Sequence, residues 1–116
     1  MQIRLGDNMY SIIPLQAVPN QTFSSKIPVD KQNITLSFTL NYNELANYWV
    51  VSITDSNGTM LITSLPIIPA QNILEQFKYM NIGSAYVVPR QTISEEWPTE
   101  NTLDSDWYLV WSDTDG

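Results

Sequence analysis

Two carboxylate pairs near the end of the chain are the side chains whose spacing comes nearest to acid–base catalysis. They are Glu95–Glu96 and Asp104–Asp106. A general acid and its base need a desolvated cleft, where burial raises a carboxyl pKa. In glycosidases the two carboxyl groups stand about 5 to 10 Å apart across such a cleft. Neighbours in an acidic stretch offer neither feature. We therefore predict no catalytic residue, and a cell-wall glycosidase stays the least favoured alternative.

Histidine and cysteine are both absent from the 116 residues. Their absence excludes Ser-His-Asp and Cys-His nucleophiles, thiolate metal sites and the commonest zinc ligand. The four glycines form no phosphate-binding loop, and no calcium-loop spacing occurs. The sequence thus predicts no enzyme, no cofactor and no metal site.

The net charge of −7 lies entirely in the last quarter of the chain. Residues 1–90 hold five acids and five bases, whereas residues 91–116 hold seven acids and no base. An acidic surface repels phosphate, so we predict no direct binding of nucleic acid. The segment is either a solvated rim that aids solubility or a surface that faces a basic partner or a DNA conduit. Its candidate interface acids are Glu95, Glu96, Glu100, Asp104 and Asp106.

Trp97 stands in the acidic loop 91–106, directly before Pro98. An exposed tryptophan there would be an interface anchor, and one folded back would be a peg that holds the loop. The same ring could stack on a sugar, which keeps a carbohydrate- or receptor-binding module as an alternative function. Trp49, Trp107 and Trp111 fall on predicted strands, and we expect them in the core.

Short segments rich in Val, Ile, Thr, Tyr and Trp, separated by prolines, are typical of an all-β chain. The predicted strands cover 9–15, 21–29, 32–42, 48–55, 59–67, 84–88 and 107–112. The third alternates most clearly, with Ile34, Leu36 and Phe38 on one face. Asn57-Gly58 predicts a tight hairpin with positive φ angles. A single helix is predicted within 70–80, where four apolar residues have helical spacing, Ile73, Leu74, Phe77 and Met80; Gly83 suits its end.

These elements predict one mainly β domain over residues 1–116. The expected fold is a small barrel or sandwich of about seven short antiparallel strands with one short helix. We assign 1–8 to an N-terminal arm, 91–106 to an acidic loop and 113–116 to a C-terminal tail. No apolar stretch approaches the ~18 residues that span a bilayer, and the start has no signal-peptide core. We therefore predict no membrane contact and synthesis in the cytoplasm.

The order of the segments resembles the baseplate plug family of contractile-tailed bacteriophages over roughly residues 10–112. Residues 20–23 match an NQTF-like first strand, and residues 55–58 match a D-x-x-G turn. An IP segment follows at Leu65, Pro66, Ile67 and Pro69, and the next matching positions are Phe77, Tyr79, Ile82 and Gly83. The last matching positions, near the end of the chain, are Pro98, Thr99, Asn101 and Leu103. Two positions depart from the pattern, because Ser64 and Asp104 stand where the family often has glycine.

The resemblance implies a structural part of a phage contractile-tail baseplate, or of a related phage-tail-like particle. It would belong to the hub or plug at the end of the tail tube, with hub and tail-tube proteins as partners. It would reach the virion after assembly in the host bacterial cytoplasm. A homo-oligomer is implied, and a trimer is favoured because hub parts are often threefold. Edge strands such as SAYVV or WYLVW could pair with a neighbouring chain.

Overall fold

The fold is that of a computed structural model, which describes residues 2–5, 8–16, 21–69, 72–89, 98, 103 and 107–114, without the side chains of 2–5, 8 and 9. The predicted mainly β fold is confirmed. The strands are β1 (Gln2–Leu5), β2 (Asn8–Ile13), β3 (Gln21–Val29), β4 (Gln32–Asn43), β5 (Tyr48–Thr54), β6 (Met60–Pro66), β7 (Ser84–Pro89) and β8 (Trp107–Ser112). One 3-10 helix covers Glu75–Met80.

The strands form two separate four-stranded antiparallel sheets, so the sandwich is the correct one of the two predicted architectures. The terminal sheet has the order β1-β2-β8-β7, and the central sheet has the order β3-β4-β5-β6. The predicted N-terminal arm contains β1, which pairs with β2. Both ends of the chain therefore contribute strands to the terminal sheet.

The core lies between the inner faces of the two sheets. Alternation along β4 buries Leu36, Phe38 and Leu40, as the sequence predicts. The three strand tryptophans predicted in the core, Trp49, Trp107 and Trp111, are all buried. The Phe38 and Trp111 rings meet edge to face with centroids 5.5 Å apart, an arrangement favoured by the ring quadrupoles. This contact joins the central sheet to the terminal sheet.

The two tight hairpins of the central sheet use different turns. Asp30 and Lys31, between β3 and β4, have φ angles of +51° and +68°, which matches a two-residue type I′ turn. The predicted pair of positive φ angles at Asn57-Gly58 is wrong, because only Gly58 is left-handed, at +84°. The reason is the Asp55 carboxylate, whose Oδ1 accepts backbone N–H bonds from Asn57 and Thr59 at 2.9 Å. That carboxylate shapes a three-residue loop.

The helix lies where the spacing predicts it but begins later and is of the 3-10 type. Leu74 is fully buried, and Phe77 and Met80 pack against the core. Residues before Glu75 are held by β7 instead, because the Ile73 N–H donates to the Ala85 carbonyl at 3.0 Å. No helix in the described part of the chain is long and apolar enough to cross a membrane.

Ser64, which stands where the resembled family often has glycine, has a left-handed backbone with φ of +56°. It lies in β6 where the register against β5 shifts between Val51 and Ile53. Its backbone N–H donates to Ser52 Oγ at 3.1 Å. The bulge therefore imposes on an L-residue a conformation that costs about 1 kcal/mol or more.

Ser64→Gly is expected to raise the free energy of unfolding by about 0.5 to 1 kcal/mol, since glycine adopts this conformation without the Cβ clash. The Ser64 side chain is exposed, and the bond to Ser52 uses the Ser64 backbone N–H, so Ser64→Gly and Ser64→Ala both keep that bond. Urea denaturation followed by circular dichroism measures the change. Ser64→Ala is the matched control and should show no gain. Equal stability of the two variants would contradict the strain.

Candidate functional site

Most of the acidic loop 91–106, which holds the predicted interface, falls outside the described residues. This applies to both carboxylate pairs and to all six candidate interface residues, Trp97, Glu95, Glu96, Glu100, Asp104 and Asp106. Their exposure and their partners therefore stay predictions. The structure brings none of them together and separates none of them.

Two residues of the acidic loop 91–106 are described, and both are buried. Leu103 is fully buried in the hydrophobic core, and Pro98 is also buried. Burial of these two apolar side chains stabilises the fold. Both positions belong to the closing part of the family resemblance. The sequence signal was their apolar character within an otherwise acidic stretch.

Two described carboxylates form a reciprocal clasp at one end of the sandwich. Asp113 Oδ1 accepts the Asp30 N–H at 2.8 Å. Asp30 in turn accepts the Thr114 N–H at 2.9 Å and the Thr114 hydroxyl at 2.6 Å. The Ser84 hydroxyl adds a bond to the Asp113 carbonyl at 2.8 Å. The clasp ties the end of β8 to the β3–β4 turn, so these acids serve the fold.

The described part of the chain offers no group of acids that could hold a metal ion. Asp55 is occupied by the backbone donors of its own loop. Glu75 lies 3.8 Å from Lys78 one turn along the helix, and both side chains are largely exposed. Such exposed pairs contribute little to stability. These acids are thus engaged with donors of the fold itself.

The outer face of the central sheet carries rows of hydroxyl groups. Thr22 and Thr39 lie opposite each other with their Oγ1 atoms 3.1 Å apart, and the Oγ atoms of Ser24 and Ser37 are 2.8 Å apart. Ser52 and Thr54 continue these rows onto β5. Lys26 is the one charged residue in strands β3–β6. This face is therefore polar and almost free of charge.

The outer face of the terminal sheet is apolar by contrast. Ile12, Val110 and Tyr86 stand in register across three strands, and all are half-buried. Tyr108 and Val88 form the next row. The only sequence signal for this face was the continuous apolar run of β8. A strand with apolar residues on both faces does not alternate between polar and apolar residues. The two outer faces thus differ in chemistry.

An open cleft of about 480 Å³ lies where the start of β4 meets the segment after the helix. Ile34, Leu61 and Met80 supply apolar surface to the cleft, and Asp55 also lines it. Exposed Tyr79, 74% accessible, belongs to the same helix as Met80. The cleft contains no nucleophile paired with a base.

The predicted edge strands are half correct. WYLVW is wrong as an edge, because β8 pairs with β2 on one side and β7 on the other. SAYVV belongs to β7, which is an edge. Its outward groups at Ala85 are already taken by Ile73 and by Asn72 Oδ1, at 3.0 and 2.9 Å. Pro89 has no N–H, so Val87 alone presents a complete donor and acceptor pair.

The fold and these surfaces define a small β-sandwich protein in which Asp30, Asp55 and Asp113 are engaged in hydrogen bonds of its own structure. The comparison with known families is more specific. The family described as Cyanophage baseplate Pam3 plug gp18 matches residues 9–114, and the chain belongs to this family of phage baseplate plug proteins. A comparison with curated proteins finds no match. The family resemblance is confirmed, and the chain is a structural baseplate component of the virion tail.

Proposed function

We propose that the chain is a non-enzymatic subunit of a contractile-tail baseplate, in the hub or plug at the end of the tail tube. The observation that carries this proposal is the family match, which spans residues 9–114 and so includes strands of both sheets. The engagement of Asp30, Asp55 and Asp113 in backbone bonds supports a role without catalysis. Placement at the tube end would let the subunit close the tube until injection.

The proposed partners are the hub and tail-tube proteins of the same particle, joined during assembly in the host bacterial cytoplasm. Identical subunits that meet head to tail form a closed ring when the rotation closes. A threefold ring suits a hub, and we therefore propose three copies in the particle. The two broad outer faces, one rich in hydroxyls and one apolar, supply surfaces of different chemistry for such neighbours.

The acidic segment is proposed to face the tube lumen or a basic partner. Residues 91–116 carry seven acids and no base, and a negative wall repels the phosphates of passing DNA. Pro98 and Leu103, which are buried, belong to the same stretch of the sequence. An assembled tip in which Glu95, Glu96 and Asp104 point outward, far from any chain, would refute the placement.

The deciding experiment measures the mass of the purified protein alone and mixed with hub and tail-tube proteins. Light scattering after gel filtration should show a stable complex or a closed ring. Neutralising Glu95, Glu96 and Asp104 to their amides should weaken a complex that uses the acidic segment. A matched control neutralises the exposed Glu44 and Glu75, which lie outside that segment.

The same experiment separates the alternative of a carbohydrate- or receptor-binding module. A protein that ignores hub and tube proteins but binds a glycan would favour that alternative. Tryptophan fluorescence during glycan titration detects the binding, and its loss in Trp97→Ala would locate it. If the tryptophan fluorescence does not change at any glycan concentration, the glycan-binding alternative is refuted.

A further inference from the structure

Strand β3 is the longest free edge in the described part of the molecule. It lies at the outer side of the central sheet and runs for nine residues, Gln21–Val29. The opposite edge, β6, is interrupted by shifts of register and by the left-handed Ser64. The β7 edge is occupied at Ala85 and ends in Pro89. A long regular edge is a template for another strand.

The turn after β3 determines which of its backbone groups face outward. A two-residue type I′ turn closes on a hydrogen-bonded pair, here Val29 and Gln32, and pairs then alternate along the hairpin. The residues whose N–H and C=O point away from β4 are therefore Thr22, Ser24 and Lys26. This alternation makes Ser24 and Ser37 a non-hydrogen-bonded pair. Side chains are nearest in such pairs, and the Ser24 and Ser37 hydroxyl oxygens are indeed only 2.8 Å apart.

We propose that two copies of the free protein pair antiparallel along β3, about a two-fold axis at Ser24. Ser24 then lies opposite the Ser24 of the second copy, and Thr22 lies opposite its Lys26. Three residue pairs with outward donors and acceptors form six backbone hydrogen bonds. The interface is isologous, because the same strand serves on both sides. Two central sheets become one continuous sheet.

Lys26 and Pro28 select this register among the possible ones. Shifting the second copy by two residues toward the turn brings Pro28 opposite Thr22, and the Thr22 carbonyl then meets no N–H donor. A further step brings the two Lys26 side chains face to face, and like charges directly opposite are destabilising. Shifting the second copy by two residues away from the turn leaves only two hydrogen-bonded pairs between described residues. The register centred on Ser24 separates the lysines and gives each of its three pairs both hydrogen bonds.

The inner side of the same edge also gains from the pairing. Phe23 is half-buried and stacks on Phe38 with ring centroids 5.3 Å apart. In the proposed register its free side faces Ser25 of the second copy, so part of its remaining apolar surface leaves water. The pair describes the free protein and does not depend on the copy number in the particle. Pairing would protect the edge before assembly.

A cysteine scan tests the register directly, because the chain has no cysteine of its own. In Ser24→Cys the two introduced thiols lie on the axis, with Cα atoms about 5.5 Å apart, within the range for a disulfide. In Thr22→Cys, the matched control on the same exposed face, they are roughly 14 Å apart. Mild oxidation should give a covalent dimer at least tenfold faster for Ser24→Cys. Equal rates would overturn the proposal.

A charge variant provides a test that needs no covalent bond. Ser24→Lys places two like charges opposite each other on the axis and should raise the dissociation constant of the dimer at least about tenfold. Ser24→Ala loses the same hydroxyl contact with Ser37 but should stay paired. A wild-type protein that is monomeric in sedimentation equilibrium would refute the pairing. Complex formation with hub and tube proteins is measured separately, so either proposal can fail alone.

Discussion

Gly83→Ala is expected to lower the free energy of unfolding by more than about 3 kcal/mol, enough to unfold a marginal domain. The added Cβ would lie 2.5 Å from Trp111 Nε1 and 2.6 Å from the Ser112 carbonyl oxygen. The backbone there has φ of +108°, which side chains rarely adopt. Neither neighbour can withdraw, since Trp111 is buried in the core and Ser112 contributes its backbone. Overpacking and backbone strain therefore add.

Gly58→Ala is the matched control for that result. Gly58 also has a positive φ, +84°, but a Cβ there meets no atom within 4 Å. Only the backbone term remains, and we expect a loss of about 1 kcal/mol. Urea unfolding of both variants, followed by circular dichroism and tryptophan fluorescence, compares them. Equal losses would show that the packing against Trp111 carries no cost.

Trp111→Phe is expected to cost about 2 to 4 kcal/mol. The indole N–H donates to the Ile82 carbonyl at 2.7 Å in a buried environment. Phenylalanine has no donor, so this carbonyl loses its partner, a penalty of about 1 to 3 kcal/mol. The smaller ring also leaves a void beside Phe38, whose ring now meets the indole edge to face. Both costs arise where the two sheets meet.

Phe38→Leu separates packing from hydrogen bonding at the same contact. It removes the aromatic partner of Trp111 and of Phe23 and leaves the bond to Ile82 in place, so we expect a cost of about 1 to 2 kcal/mol. Thermal and urea unfolding of both variants give the comparison. A Trp111→Phe variant as stable as Phe38→Leu would mean that the buried bond contributes nothing.

The central sheet could be predicted well from the sequence because its strands follow a period of two. Leu36 and Phe38 alternate with threonine and serine, and this alternation fixes both the strand and its buried face. The turns were harder. Asp30-Lys31 lacks the usual glycine of a type I′ turn, and the Asp55 carboxylate reshapes the loop that Asn57-Gly58 indicated. Side-chain bonds to the backbone decide such details, and spacing alone does not show them.

The interaction surfaces were harder to predict than the fold. The family could be recognised from the order of segments, and the match over residues 9–114 confirms it. The edge strands of the two sheets could not be predicted, because the residues of a strand do not reveal how many neighbouring strands it has. The apolar run of β8 is as compatible with an edge as with the central position it takes. The central position of β8 is determined by its pairing with β2, which lies far from it in the sequence.

The clasp between Asp30 and Thr114 has a consequence for the rates of folding and unfolding. Its partners are separated by 84 positions, so forming it closes a loop of most of the chain. Such non-local contacts carry a high entropic cost and follow the local hairpins in time. Interactions absent from the transition state act mainly on the unfolding rate. The clasp therefore governs how long a folded subunit survives and has little effect on how fast it folds.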